Sequence, residues 1–368
     1  MKYNWQQPDW PNFKYSTEEV EDLLFEFSER TGKISGFMES LPEKTKMETI
    51  IELLVAEAIK TSEIEGEYLS RKDVMSSIKN NLGLTPQPEK VNDKRAEGIA
   101  ELMIDSRKYF GEKLSRKKLF VWHKMIMKGS SGSKKGEWRT HEEPMQVISG
   151  FMGKEIIHFE APPSKMVPEE MEQFIEWFNS TGRGGKNEIR KPVIRAAIAH
   201  LFFETIHPFE DGNGRIGRVL AEKALSQSIN RPILLSLSQT IESGKKEYYS
   251  ALQLAQKSNE ITPWINYFVK ITLKAQINAE NLIEFTLRKT KFFDRTKDQF
   301  NERQIKVISR MLEEGPAGFE GGLNARKYVS IAKTSKATAT RDLQDLTDKQ
   351  IIFRIGGGRS SGYFLNLD

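Results

Sequence analysis

The chain of 368 residues contains no cysteine. That absence removes disulfides, thiolate-bound zinc, iron–sulfur clusters and a thiol nucleophile from consideration. It is compatible with a reducing compartment. No run of about 18 uninterrupted apolar residues occurs, so no membrane span is expected. The opening stretch, MKYNWQQPDWPNFKYS, has no apolar core after Lys2, so no secretory signal is expected either. The expectation is a cytoplasmic protein. One-sided charge is also missing. Lys and Arg number 56 against 51 Asp and Glu, a net charge of +5, too mild to imply a nucleic-acid partner by itself. What is present is an ordinary globular composition, 38% hydrophobic and 29% charged, which is not that of a disordered chain. At about 150 residues per domain, two or three domains are expected.

The first fifteen residues carry Trp5, Trp10, Phe13 and Tyr15 with Pro8 and Pro11 between them. Such a segment reads as an extended arm anchored on a larger body. Helical periodicity begins near residues 16–19, where Ser16 can cap the N-terminus, and recurs over about 45–65, 95–109 and 115–127. Residues 129–137, GSSGSKKGE, form a break. Two short β-type runs, 146–148 and 156–159, flank a glycine-containing turn and read as a hairpin. Helical patterns resume at about 168–180, 191–206, 215–228, 242–257 and 262–287. Beyond residue 290 the pattern changes. Residues 303–314, with Ile305, Ile308 and Leu312 on one face, and 335–347 read as helices. Two β-type runs, 351–353 and 363–365, then flank GGGRSSG. There is no internal repeat and no low-complexity run.

The informative segment is His207-Pro208-Phe209-Glu210-Asp211-Gly212-Asn213-Gly214-Arg215-Ile216-Gly217-Arg218. It follows a helix with Ile194, Ile198, Leu201 and Thr205 on one stripe and precedes another with Ile216, Val219, Leu220 and Ala224 facing inward. A polar loop is thus pinned between two buried helices. Gly212-Asn213-Gly214 tolerates positive φ, so successive backbone N–H groups can converge into an anion nest. The next helix adds its N-terminal dipole end. Arg215 and Arg218, three apart, share a helical face and suit a polyphosphate. Asp211 is a hard oxygen ligand of the kind Mg²⁺ takes. His207 has the chemistry to accept a proton near neutral pH.

This segment resembles the core motif of the Fic family, His-x-Phe-x-(Asp/Glu)-Gly-Asn-Gly-Arg-x-x-Arg, without departure, and the resemblance extends over roughly residues 50–287. It implies a mainly α fold: a Fic-type helical bundle with a β-hairpin flap, here about 146–159, that positions a target segment by strand addition. It also implies transfer of AMP from ATP to a protein hydroxyl on Ser, Thr or Tyr, with release of pyrophosphate. On this resemblance His207 is the base, Asp211 the Mg²⁺ ligand, Gly212, Asn213 and Gly214 the phosphate nest, and Arg215 and Arg218 phosphate ligands.

A second feature lies in the helix over 45–65. Ile51, Leu54, Ala58, Thr61 and Glu65 form one stripe, apolar until it ends in a carboxylate. A glutamate there opposes the helix dipole, and Gly66 reads as the residue that stops the helix. An acid on a buried stripe needs a cation, and Arg218 is one to spare; a wet, frayed helix end is the alternative. Thr61-Ser62-Glu63-Ile64-Glu65-Gly66 resembles the family's inhibitory motif, (Ser/Thr)-x-x-x-Glu-(Gly/Asn). The resemblance implies that Glu65 pairs with Arg218 and blocks productive placement of the γ-phosphate.

Weaker signals complete the reading. Tyr248 and Tyr249 lie where the family places a base-pocket tyrosine, with Tyr249 taken as the candidate and core packing equally open. His200 reads as a core histidine. His123, His141 and His158 lack metal-ligand spacing. Residues 301–368 hold eleven Lys and Arg against eight Asp and Glu. This part resembles winged-helix domains appended to bacterial Fic proteins, with 334–343 as a recognition helix that contacts DNA or a protein. The division expected is 1–95 (arm and inhibitory helix), 96–289 (Fic core) and 290–368 (winged-helix-like), with homodimerisation open. The leading expectation is an autoinhibited protein adenylylyltransferase. Open alternatives are AMP removal at the same site, a DNA-binding regulator whose Fic domain senses nucleotide, and transfer of another nucleotide or a phosphocholine group.

Overall fold

A computed structural model describes residues 3–130, 134–149, 156–315, 318–357 and 362–367. Its elements in chain order are α1 (Glu21–Glu39), α2 (Glu43–Ile64), α3 (Arg71–Asn81), α4 (Lys94–Lys108) and α5 (Arg116–Ile126), then strands β1 (Gln146–Ser149) and β2 (Ile156–Glu160). There follow α6 (Val167–Ser180), α7 (Pro192–Ile206), α8 (Asn213–Ile229), α9 (Leu237–Ser243), α10 (Lys245–Ala255) and α11 (Thr262–Thr296). The chain ends with α12 (Glu302–Glu313), α13 (Ala325–Ala332), α14 (Lys336–Asp348), β3 (Ile352–Ile355) and β4 (Gly362–Leu365). The fold is mainly helical, as expected, with two antiparallel hairpins, β1–β2 and β3–β4. The hairpin expected over 146–159 is present. Its turn, 150–155, lies outside the described residues, as do 358–361 of the second hairpin. Among the described residues no helix is long and apolar enough to cross a membrane.

Two compact units divide the chain: residues 1–39 with 50–277, and residues 40–49 with 278–368. The division falls inside α2 and inside the 35-residue α11.

In the first unit α7 is the central element. Nearly every side chain along it is buried, Ile194, Ile198, Leu201 and Thr205 among them. It packs along α8, which buries Ile216, Val219, Leu220 and Ala224. A fully enclosed guanidinium locks the pair. Arg195 of α7 donates to the carbonyls of Phe178 (2.7 Å) on α6 and Ala224 (2.9 Å) on α8, and to Gln227 Oε1 (2.9 Å). Burial pushes its pKa down to about 10, so it remains a cation at neutral pH and satisfies the Phe178 carbonyl in the last turn of α6. The aromatic arm packs on this body. Asn4 is buried and bonds Thr205, Trp5 donates to the Glu160 carbonyl at the end of β2, and Trp10 donates to Glu170 while meeting Phe202 edge-on at 5.1 Å.

In the second unit α12, α13, α14 and the β3–β4 hairpin enclose a core of Val307, Ile308, Leu323, Leu343, Leu346 and Ile352. The expected element order is present, but the buried face of α12 is not the expected one. Ile305 is 42% exposed; Gln304, Val307, Ile308, Met311 and Leu312 are buried instead. Asp342 pins the unit by accepting hydrogen bonds from Tyr328 Oη (2.9 Å) and Arg303 Nε (2.9 Å).

Arg195 is the position at which the α7–α8 frame can be tested. Arg195→Met removes the close donor to the buried Phe178 carbonyl and to Gln227 Oε1, each loss costing about 1–3 kcal/mol. A loss of about 2–4 kcal/mol in unfolding free energy is expected, read from the urea midpoint at pH 7.

Candidate active site

The site is built on the turn between α7 and α8. His207 closes α7 in the left-handed region (φ 50°, ψ 59°), with its N–H on the Phe203 carbonyl at 2.9 Å. A non-glycine residue stays there only where its surroundings over-determine it. Arg139 does so. Its Nε donates to the His207 carbonyl (2.8 Å), its Nη2 to the Ile206 carbonyl (3.3 Å) and to Pro162, and its Nη1 to Ser164 (2.9 Å). Its backbone N–H bonds the Pro208 carbonyl at 3.0 Å. Nothing in the sequence pattern singled out Arg139.

Phe209 is fully buried and stacks on the His123 ring at 4.0 Å and 5°. His123 accepts from the Gly136 N–H on Nδ1 (2.8 Å), which leaves Nε2–H for the Asp211 carbonyl at 3.1 Å. The Asn213 side chain brackets the backbone of Phe209, accepting from its N–H (2.9 Å) and donating to its carbonyl (2.8 Å). What Asn213 leaves for an anion is therefore main chain, not side chain. Gly212 has φ 81°, and a Cβ there would strike Ile126. As the residue before α8 it supplies no side-chain cap, so the first-turn amides of α8 are left to a ligand.

Both motif arginines are buried and occupied. Arg218 donates from Nη2 to Glu65 Oε1 (2.7 Å) and the Thr61 carbonyl (3.0 Å), and from Nε to Thr61 Oγ1 (2.8 Å). Burial by itself would raise the Glu65 carboxyl, but Arg218 outweighs it and holds the pKa below the usual range. The same partner raises that of Arg218 against the effect of burial. The apolar stripe of α2 thus ends on a cation, and Glu65 is not a frayed helix end. Its close approach requires Gly214, where a Cβ would fall on Glu65 Oε1. Arg215 donates from Nη1 to Glu67 (2.8 Å) and lies 3.4 Å from Asp211 Oδ1. Lys245 donates to the Ile64 carbonyl, tying down the last turn of α2.

Glu65, His207, Gly214, Arg218, Lys245 and Tyr249 line one cavity of about 710 Å³, walled in part by Val147 of β1 and Phe159 of β2. Tyr249 is 39% exposed there, whereas Tyr248 is buried with its Oη 2.7 Å from His200 Nε2. Asp211 has a 55% exposed side chain at the edge of the same turn. The site therefore joins His207, Gly212, Asn213, Gly214, Arg215, Arg218, Asp211, Glu65 and Tyr249, all named from sequence. Glu67, Arg139, His123, Lys245 and Glu204 it adds. Of these, Glu67 alone carried a usable signal, being a second carboxylate two residues beyond Glu65.

Burial depresses the pKa of His123, His200 and His207 to about 4. The unfolded chain protonates each near 6.5, the ordinary imidazole value, so between about pH 6.5 and 4 the unfolded state binds more protons. Stability is accordingly full above pH 6.5 and falls as the pH drops toward 4. Urea unfolding at pH 7 and pH 5 should show the lower midpoint at pH 5, with His123→Gln reducing the difference.

Comparison with known proteins agrees with this geometry. Residues 113–225 match the Fic/DOC family, and residues 3–84 match a domain of unknown function, DUF4172. The protein adenylyltransferase fic-1 of Caenorhabditis elegans is 31% identical over 104 residues, covering 28% of this chain and 18% of that protein. The protein adenylyltransferase Fic of Drosophila mojavensis is 33% identical over 104 residues, covering 28% and 19%. The chain thus spans about a fifth of the length of the curated relatives it matches. A Fic family protein from Desulfovibrio desulfuricans shares the fold over 97% of this chain and 98% of that one (TM-score 0.56, 20% identity). A Fic-domain signalling protein from Bacteroides thetaiotaomicron does so over 71% and 97% (TM-score 0.53, 17% identity). With the complete motif at 207–218 seated between two buried helices, and the family match spanning it, residues 113–225 are a Fic/DOC family domain.

Proposed function

We propose that the chain is an autoinhibited protein adenylylyltransferase, moving AMP from ATP to a hydroxyl side chain of a target protein. The observation that carries this reading is the 2.7 Å Glu65–Arg218 pair beside an uncapped helix N-terminus and a largely buried, neutral histidine. The phosphates of ATP lie on the free amides of α8, and the base enters beside Tyr249. The target hydroxyl attacks the α-phosphorus, the bond to the β-phosphate breaks, and pyrophosphate leaves. The hydroxyl proton passes to His207, which is neutral at physiological pH and so able to accept it.

Asp211 fits Mg²⁺. Among the described residues no group of three His, Asp or Glu gathers in one place, but Mg²⁺ is commonly held by one or two carboxylates plus substrate phosphates. Asp211 would hold it with the ATP phosphates, and the ion would neutralise phosphate charge. The β1–β2 hairpin supports presentation of an extended target segment by strand addition. While Glu65 holds Arg218, the guanidinium is withheld from the γ-phosphate, and the α-phosphate is not presented in line to the hydroxyl.

Three variants test the reading in vitro with labelled ATP, Mg²⁺ and cell lysate. Glu65→Gly should label proteins faster than the parent. A charge-assisted hydrogen bond is worth about 1.5–3 kcal/mol, so a gain of about 10- to 150-fold is expected. A folded Glu65→Gly protein that transfers AMP no faster than the parent overturns autoinhibition. In the Glu65→Gly background, His207→Ala should abolish transfer yet still bind ATP in equilibrium dialysis. In the same background, Asp211→Ala should lose activity that excess Mg²⁺ restores poorly. Release of AMP from a purified AMP-modified target by the parent chain, without ATP, assigns Glu65 to the reverse reaction instead.

A further inference from the structure

Glu204 is a carboxyl group that the proposed chemistry leaves without a role. It lies on α7 three residues before His207, is 5% exposed, and lines the same cavity as His207, Arg218 and Tyr248. Its Oε2 stands 3.8 Å from His207 Nδ1. Its Oε1 is buried without a hydrogen-bond partner; His207 Nδ1 has no side-chain hydrogen-bond partner, and the backbone carbonyl of Glu204 also favours its protonated form. Leaving a buried polar group unpaired is unfavourable, and an apolar side chain of similar size would avoid it. Packing therefore does not explain the acid. The left-handed turn at His207 does explain its placement, because it folds the ring back so that Nδ1 faces the preceding turn of α7. The other ring nitrogen, Nε2, is then the one directed away from Glu204.

We propose that Glu204 is the positioning residue for His207: it keeps the imidazole proton on Nδ1 and the lone pair on Nε2, and its ionisation strengthens Nε2 as acceptor of the target hydroxyl proton. The proposal rests on the adenylyl-transfer reading above. In the step itself the hydroxyl proton goes to Nε2, the Nδ1 proton stays on the ring, and the resulting imidazolium is stabilised across 3.8 Å by the carboxylate.

The charges around the pair favour this assignment. Burial lifts Glu204 to about 8 against the pull of Arg218 on α8, and Glu65 at the end of α2 lifts it further. On α7 itself, His200 and His207 are held near 4. Tyr248 on α10 is raised well above its ordinary value by burial, and Arg218 is raised as well. Arg139 and Asp211 also act on His207, the first disfavouring and the second favouring its protonated form. Glu204 is therefore the group beside His207 that titrates between about pH 7 and 9. Below that window a neutral acid faces a neutral ring, and His207 is a weak base. Above it the carboxylate raises the proton affinity of Nε2.

Two readouts test the pairing, one of them independent of transfer. Ring-labelled histidine NMR from pH 6.5 to 9.5, with His207 assigned through His207→Gln, should show an Nδ1–H tautomer. Its resonances should shift with a midpoint near that of Glu204. The shift should vanish in Glu204→Gln and move to lower pH in Glu65→Gly, while the other histidine signals report that each variant is folded. In the Glu65→Gly background, kcat for AMP transfer should rise about tenfold across the same range. In Glu65→Gly/Glu204→Gln the rise should be absent and KM for ATP unchanged. A His207 ring that senses no such titration, or a rate profile that Glu204→Gln leaves intact, overturns the proposal. If Glu65→Gly transfers no AMP at any pH but the Glu204-dependent ring titration is present, the adenylyl-transfer reading fails and the Glu204–His207 coupling stands.

Discussion

A guanidinium that is 1% exposed must be neutralised where it lies, and for Arg218 the neutralising groups come from outside the motif. Two of the three hydrogen bonds it makes are to Thr61 and the third is to Glu65, all at the last turn of α2. This one junction explains several local features. The α2 helix ends where its carboxylate meets the cation, Lys245 holds the Ile64 carbonyl, and position 214 has no side chain because Glu65 occupies its space. Breaking a buried pair from one side leaves the other charge uncompensated. A ligand that removes Glu65 must therefore bring its own negative charge, which is what a triphosphate does.

The turn itself is rigid for reasons separate from that pair. Asn213 closes it from within, His123 braces it through Phe209 and the Asp211 carbonyl, and Arg139 fixes the strained backbone of His207. The division of labour is physical. Side chains that shape the turn are consumed by backbone groups, and what remains toward the cavity is amide N–H, one imidazole edge and the Arg218 guanidinium. Positions that must hold a transition state gain from being fixed in advance, because reorganisation during reaction then costs little. The Glu65–Arg218 contact, by contrast, joins elements far apart in the chain, which allows one side to leave without dismantling the other.

Much of this was legible in the sequence. The motif 207–218 was readable because its spacing carries both geometry and chemistry: glycines for the turn, arginines three apart, an acid beside them. The Glu65 stripe was readable because the 3.6-residue period exposed a carboxylate in an apolar row. Less legible was whatever depended on distant partners. Arg139 and His123 act through groups 68 and 88 residues away in sequence, and no local pattern marks them. Ile305 was placed inside α12 by period alone, whereas the buried face is set by Gln304, Val307, Ile308 and Met311 packing on the C-terminal core. The α3 and α9 helices escaped notice because each is short and carries few apolar residues, so its face is defined only by what it packs against.

The cavity also obeys a charge rule that follows from its low exposure. It holds Arg218 with two carboxyl groups, Glu65 and Glu204, and only Glu65 is ionised at neutral pH. Glu65 disfavours ionisation of Glu204, and Arg218 favours it. The two acids are therefore alternatives in their claim on one cation. In the proposed function a phosphate that takes the place of Glu65 inherits that position, and Glu204 again faces a neighbouring anion. In the proposed function, autoinhibition and proton acceptance are in this sense not separate devices. Both are settled by which negative group stands beside Arg218, and the helix that carries His207 supplies one of the contenders.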